Sequence, residues 1–282
     1  MISTLKDLGK RSAIVELPQS HVIKLGHDIL SRAEIPYFIA KGAHLRDRFY
    51  EKPSQRPAID IDLFIHEKDR QSALEAFSSA GFTAHPRPET LSHELKLTKY
   101  NADIDLHWHL MRPGRYRPGL MDWLFERREK FGDYWGLDAT ASLLVMLVHP
   151  AITKYLISPT SMLIHQVDQA RLIGSGEVKW DELGDALSAS GMKTAAWSSL
   201  YLLRNLGGIE APGDFEARMR PGAMHTAYLR RWIDRALITK YFKRRWLVAG
   251  LFSLALQDSI ADVGTALRAK AAVSNPPLPD LS

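Results

Sequence analysis

The chain has 282 residues, no cysteine, and 37 lysines and arginines against 32 aspartates and glutamates, a formal net charge of +5. That length suits one large domain or two small ones, and the charge suits a nucleotide or other polyanion rather than non-specific nucleic-acid binding. Without thiols, disulfide scaffolds, thiolate zinc sites, iron–sulfur ligation and cysteine nucleophiles are excluded, which leaves carboxylate and imidazole for metal chemistry.

Met1 to Glu16 is charged and lacks the apolar core of a signal peptide. No stretch reaches the ~18 apolar residues that a bilayer span needs; the nearest is Trp246 to Leu256. The expectation is a cytoplasmic protein.

The pattern along the chain changes near residue 112. Before it, short strand-like runs alternate with helical ones. A first helix is expected from about Ser20 to Ala33, with Val22, Ile23, Leu25, Ile29 and Leu30 as its apolar stripe. Ile35 to Ala40 reads as a strand running into a Lys41-Gly42-Ala43 turn, then a helical stretch with Leu45 and Phe49. Glu51 to Pro57, with two prolines, reads as a loop. Ala58 to Ile65 reads as a strand in which Ile59, Ile61 and Leu63 alternate with Asp60, Asp62 and Phe64. Asp69 to Ala80 is an amphipathic helix closed by Gly81. His93 to Tyr100 and Ala102 to Leu110 are two strands joined tightly at Asn101, a residue that tolerates positive φ.

After residue 112 helices are expected at about 122–131, 139–157, 161–173, 180–190, 194–206 and 222–270, the last one broken. The tail from Ser274 is proline-rich and reads as extended. The expectation is an α+β chain: a core over 1–115, a helical domain over 116–273 and a tail over 274–282.

Asp60 and Asp62 are the sharpest chemical feature. At i and i+2 of a strand, their side chains share one face with Cβ atoms about 7 Å apart. Burying both requires a partner. Mg²⁺ is a natural one, since it is commonly held by one or two carboxylates plus substrate phosphates. Asp103-Ile-Asp105-Leu-His107-Trp-His109 supplies further acids, again on one strand face. If that strand lies beside 58–65, Asp105 completes the set. An Asp-x-Asp on an edge strand can also be a plain solvated face; the third acidic position and the upstream Lys-Gly turn weigh against that. A strand–glycine–helix junction presents backbone N–H groups that suit a triphosphate.

The pattern Lys41-Gly42, Arg56, Asp60-Ile-Asp62-Leu, Gly81-Phe82 and Ile104-Asp105-Leu-His107-Trp108 resembles a bacterial nucleotidyltransferase-like family of the polymerase-β superfamily. The resemblance covers residues ~20–110 well and the helical part more loosely, through His149, Asp168 and Trp180-Asp-Glu-Leu. It implies a mixed sheet with flanking helices, a helical C-terminal domain, and transfer of a nucleoside monophosphate from an NTP with pyrophosphate leaving. It places Gly42 in the phosphate-binding turn, with Lys41 and Arg56 as phosphate-facing cations. Asp60 and Asp62 would hold two Mg²⁺ ions (Mn²⁺ as an alternative). Asp105 would be the third ligand and a candidate base for an acceptor hydroxyl. Ala43 departs from the superfamily, which usually has Gly-Ser or Gly-Gly in this turn. The acceptor is open: a peptide natural product, a sugar, a protein or a small molecule, with nucleic acid the least favoured.

His107 reads as a hydrogen-bond partner that orients a metal-binding carboxylate. Together with Asp105 it could instead be the centre of a His/Asp metal hydrolase. Arg56 has an ion pair with Asp60 or Asp62 as its simpler role. His149 reads as a core histidine, and Asp168 as a helix-pairing group as much as a catalytic one. The basic, aromatic run from Tyr228 to Trp246 has three readings: a solvated face of a core helix, an acceptor-binding surface, or a membrane-surface helix. Beside the transferase reading stands a catalytically silent nucleotide- or partner-binding module on the same fold.

Overall fold

The computed structural model describes residues 18–87, 90–154, 159–234 and 246–272. These divide into two compact units: residues 18–112 with Leu124–Asp138, and Pro113–Trp123 with Ala139–Ala272.

The first unit is built on a mixed seven-stranded sheet. After helix α1 (residues 18–32) come β1 (Tyr37–Ala40), α2 (Lys41–Phe49), β2 (Asp60–Ile65), α3 (Arg70–Ser79), β3 (Thr83–His85), β4 (Glu94–Lys99) and β5 (Ala102–His107). Then follow α4 (Leu120–Glu126), β6 (Arg128–Phe131) and β7 (Tyr134–Leu137). The strand order is β3-β4-β5-β2-β1-β7-β6. The β2–β5 and β1–β7 pairs are parallel, and the other four are antiparallel.

The two faces of the central strands differ as their alternation requires. Ile61, Leu63 and Ile65 of β2, Ile104 and Leu106 of β5, and Leu95 and Leu97 of β4 join one buried cluster. Val22, Ile23, Ile29 and Leu30 of α1 and Ala73, Leu74 and Phe77 of α3 complete it. The other face carries the chemistry. Ile59, expected inside β2, lies just before the strand and is 82% exposed.

Positive φ appears where the chain turns hardest. Tyr100 (φ 52°) and Asn101 (φ 59°) join β4 to β5, both central residues being left-handed as a type I′ hairpin demands. Gly81, after α3, has φ 78°. Gly132 (φ 55°) opens the turn between β6 and β7. Lys41, the first residue of α2, also has φ 55°.

That β6–β7 hairpin corrects the expectation of a helix over 122–131 in a second half that reads almost entirely as helix. The helix stops at Glu126, and Tyr134–Leu137 joins the sheet beside β1. β6 is Arg-Glu-Lys-Phe, a composition that suits a helix surface as well as it suits the charged edge of a sheet.

The second unit is helical: α5 (Ala139–Thr153), α6 (Pro159–Gly174), α7 (Trp180–Ser190), α8 (Lys193–Gly207), α9 (Phe215–Met219), α10 (Ala223–Asp234), and two further helices, Trp246–Ala255 and Ile260–Ala272. α5 is buried almost all round, as a helix apolar on every face must be. α8 has no side-chain cap of its own. Asp258 supplies one from a distance, accepting from the Lys193 and Thr194 amides at 3.1 and 2.7 Å. No helix among the described residues is long and apolar enough to cross a membrane.

Candidate active site

The register of two parallel strands assembles the acidic positions. Asp60 pairs with Asp103, Asp62 with Asp105 and Phe64 with His107. On the far side of β5, Lys96 of β4 pairs with Asp105 and Glu94 with His107. Side chains two residues apart share a face. One face of β4, β5 and β2 therefore carries Glu94, Lys96, Asp103, Asp105, His107, Asp60, Asp62 and Phe64.

Asp62 is the most enclosed carboxylate of this face, 8% exposed. Its Oδ1 accepts from Lys41 Nζ at 2.7 Å and lies 2.9 Å from His107 Nε2. Burial alone would raise its pKa, but the Lys41 charge and the His107 contact hold the carboxyl well below the usual range. Asp60 goes the other way. Burial first, then the charges of Asp62 and Asp105, push its pKa up to about 6 against the partial relief of Lys41 and Lys96. Asp103 accepts from Lys96 Nζ at 2.8 Å, and Asp105 lies 3.6 Å from the same nitrogen.

His107 is 2% exposed and stacks on Phe64, centroids 4.5 Å apart. Phe64 in turn stacks on Phe38 at 5.0 Å, and Phe125 meets Phe38 edge-on. This aromatic row fixes the imidazole plane. Nδ1 lies 3.3 Å from Glu94 Oε2 without hydrogen-bond alignment. His93 sits alongside. Burial and then the neighbouring His107, Arg112, Lys41 and His109 push its pKa down to about 3.

α2 begins at Lys41 directly from β1, with no intervening turn residue. Its first turn contains no acidic residue and has no side-chain cap, so this end of the helix keeps the positive character of free amide groups. Gly42 packs closely here. A Cβ would lie 3.4 Å from both Ala58 Cβ and an Arg56 nitrogen. Arg56 is 5% exposed, and its Nη1 donates to Pro57 O at 2.7 Å.

Asp60, Asp62, Asp105, Lys41 and His107 thus come together, with Gly42 and Arg56 packed against each other at the start of α2. A cation standing on Asp62 is Lys41. Glu94, Lys96 and His93 complete the site beyond the residues singled out from sequence. Their signal was present: with Leu95 and Leu97 turned inward, Glu94 and Lys96 must share the acidic face. His109 does not join His107; its Nε2 lies 3.4 Å from Glu67 Oε2. His149 is half-buried in α5. Asp168 is 1% exposed in α6, with Oδ2 3.9 Å from His165 Nδ1. In the basic, aromatic run, Trp232 meets Tyr228 and Phe252, while 235–245 lies outside the described residues, as do Met1–Glu16 and the tail 274–282.

The donor set fits a hard divalent cation. It consists of carboxylate oxygens, and the raised pKa of Asp60 records burial first and then the repulsion of Asp62 and Asp105, which a cation would relieve. Among the described residues, no group of three His, Asp or Glu side chains is arranged to hold a metal ion.

A family model described as an uncharacterised nucleotidyltransferase matches residues 27–208, which include every residue of this site. No curated protein matches the chain.

Proposed function

The chain belongs to the uncharacterised nucleotidyltransferase family, and from that premise we propose that it transfers a nucleoside monophosphate from an NTP to an acceptor, in a metal-dependent reaction of the polymerase-β type. The observation that carries this reading is the carboxylate face: Asp62 beside Asp105 in register, with Asp60 pushed up to about 6 by burial and by both of them.

Asp60, Asp62 and Asp105 would hold two Mg²⁺ ions, with Mn²⁺ as a substitute. Once bound, such ions neutralise the α-phosphate and the leaving pyrophosphate and lower the pKa of an attacking hydroxyl. The uncapped start of α2, Gly42, Lys41 and Arg56 bind the phosphates. Asp105 accepts the proton of the acceptor hydroxyl. A new bond joins the acceptor oxygen to the α-phosphorus, the bond to the β-phosphate oxygen breaks, and pyrophosphate leaves in line. His107, held flat by Phe64, keeps the Asp62 carboxylate oriented.

Ala43 favours a second reading. Fully buried in the first turn of α2, it offers no hydroxyl to a phosphate, as a silent nucleotide-binding module would tolerate. Incubation of the protein and a cell extract with α-labelled and γ-labelled NTPs separates the two. Transfer of α-label with release of pyrophosphate supports the transferase. Binding of NTP without either supports the module, and transfer of γ-label contradicts both.

A further inference from the structure

Asp62 is held by two nitrogens on one oxygen. Lys41 Nζ and His107 Nε2 both reach Oδ1, at 2.7 and 2.9 Å. The Lys41 and Asp62 side chains are only 10% and 11% exposed, and the ammonium lies 5.4 Å from the Phe64 ring centroid. A carboxylate this enclosed needs a positive partner at all times, because an uncompensated buried charge is strongly unfavourable. Here that partner is Lys41. A divalent cation on the same carboxylate would meet the ammonium at short range, where little water screens the repulsion.

Lys41 has a second place to go. It is the first residue of α2, whose opening turn is uncapped and free of acidic residues, so a phosphate at that end lies within reach of the flexible lysine stem. Its backbone is left-handed, with φ 55°, an unfavourable state for a residue with a Cβ. Such strain gathers at positions whose side chains do work.

Resting on the carboxylate-site reading above, we infer that Lys41 is an exchangeable internal counter-ion: it neutralises Asp62 in the empty site and moves to the nucleotide phosphates on loading. Cation and nucleotide then bind with positive coupling, each raising the affinity of the other by the same factor. Lys41 makes this exchange, since its ammonium already stands on Asp62. Lys41 contacts both sites in turn and so sets the coupling of loading.

The test is nucleotide-free Mn²⁺ binding by electron paramagnetic resonance, on the whole chain. Lys41→Met is expected to bind Mn²⁺ about tenfold more tightly than wild type. Lys41→Arg, which keeps the charge, is expected to stay within about twofold. Lys41→Met/Asp62→Asn is expected to lose the site. Misfolding weakens binding, so a gain in affinity is not a folding artefact. Equal or weaker binding by Lys41→Met, with Asp62→Asn still abolishing the site, overturns the exchange and leaves the carboxylate reading standing. Mn²⁺ binding unchanged by Asp62→Asn overturns the carboxylate reading itself.

Discussion

Asp62 and Asp105 are direct neighbours across the parallel β2–β5 ladder, yet separate lysines serve them. Lys41, at the start of α2, touches Asp62 at 2.7 Å, and Lys96, from β4, stands 3.6 Å from Asp105. The face is therefore asymmetric: Asp62 is held ionised, while Asp60, with no ion pair of its own among the described residues, is held partly protonated near neutrality.

That asymmetry gives a pH dependence. With a folded pKa of about 6, Asp60 must release a proton to act as a ligand. Mn²⁺ affinity should therefore rise as pH increases from 5 to 7 and level off above. Calorimetric titration at several pH values checks this. Asp60→Asn should flatten the profile; a profile already flat in the wild type would contradict the assignment.

His107 should act through Asp62 rather than on the substrate. His107→Ala removes one of two donors on Oδ1 and is expected to weaken cation affinity and transfer about 10- to 100-fold. NTP affinity measured without metal should change little. His107→Gln, which retains a donor, should recover part of the loss. A variant of wild-type activity would remove His107 from the site.

Much of this face was legible in the sequence because period two is a strong signal. The alternation in 58–65 and 102–110 places both acidic strands and the shared face of Asp60, Asp62 and Asp105. What alternation does not give is partnership. Nothing in the sequence says that Lys41 meets Asp62, because that depends on where β1 hands over to α2. The two sheet edges were also hidden. β3 is three residues long and β6 is mostly charged, the short, polar form that keeps an edge from pairing with other chains. Gly132-Asp133, between Phe131 and Tyr134, was the hairpin signal available for β6–β7.

The hairpin is locked by a buried imidazole. His44 Nε2 lies 2.8 Å from Leu137 O, and a Cβ at Gly136 would overlap the His44 ring. Gly136→Ala should thus destabilise the first unit by about 3 kcal/mol, the cost of forcing a rigid ring out of a packed site. Urea unfolding measures it; a change under 0.5 kcal/mol, of the size seen for unremarkable surface changes, would contradict the packing.

His44 also ties stability to pH. Burial pushes its pKa from 6.5 down to about 4, despite the Leu137 carbonyl. Between those values the unfolded chain binds the proton and the folded chain does not, so this contribution to stability is full above pH 6.5 and is lost as pH falls toward 4. His93, pushed down to about 3, acts in the same direction. NMR titration should find the His44 ring neutral at pH 5.5. An imidazole titrating near 6.5 would contradict its burial.

The central claim is that Asp60, Asp62 and Asp105 together make a metal–nucleotide site. Calorimetry with ATP, GTP, CTP and UTP, with and without Mg²⁺, tests it on the wild type and on each Asp→Asn variant. The account predicts that at least one NTP binds in a Mg²⁺-dependent manner and that each substitution weakens that binding about 100-fold while the fold, read by circular dichroism, is kept. Mg²⁺-dependent NTP binding that survives undiminished in the triple Asp→Asn variant would contradict it.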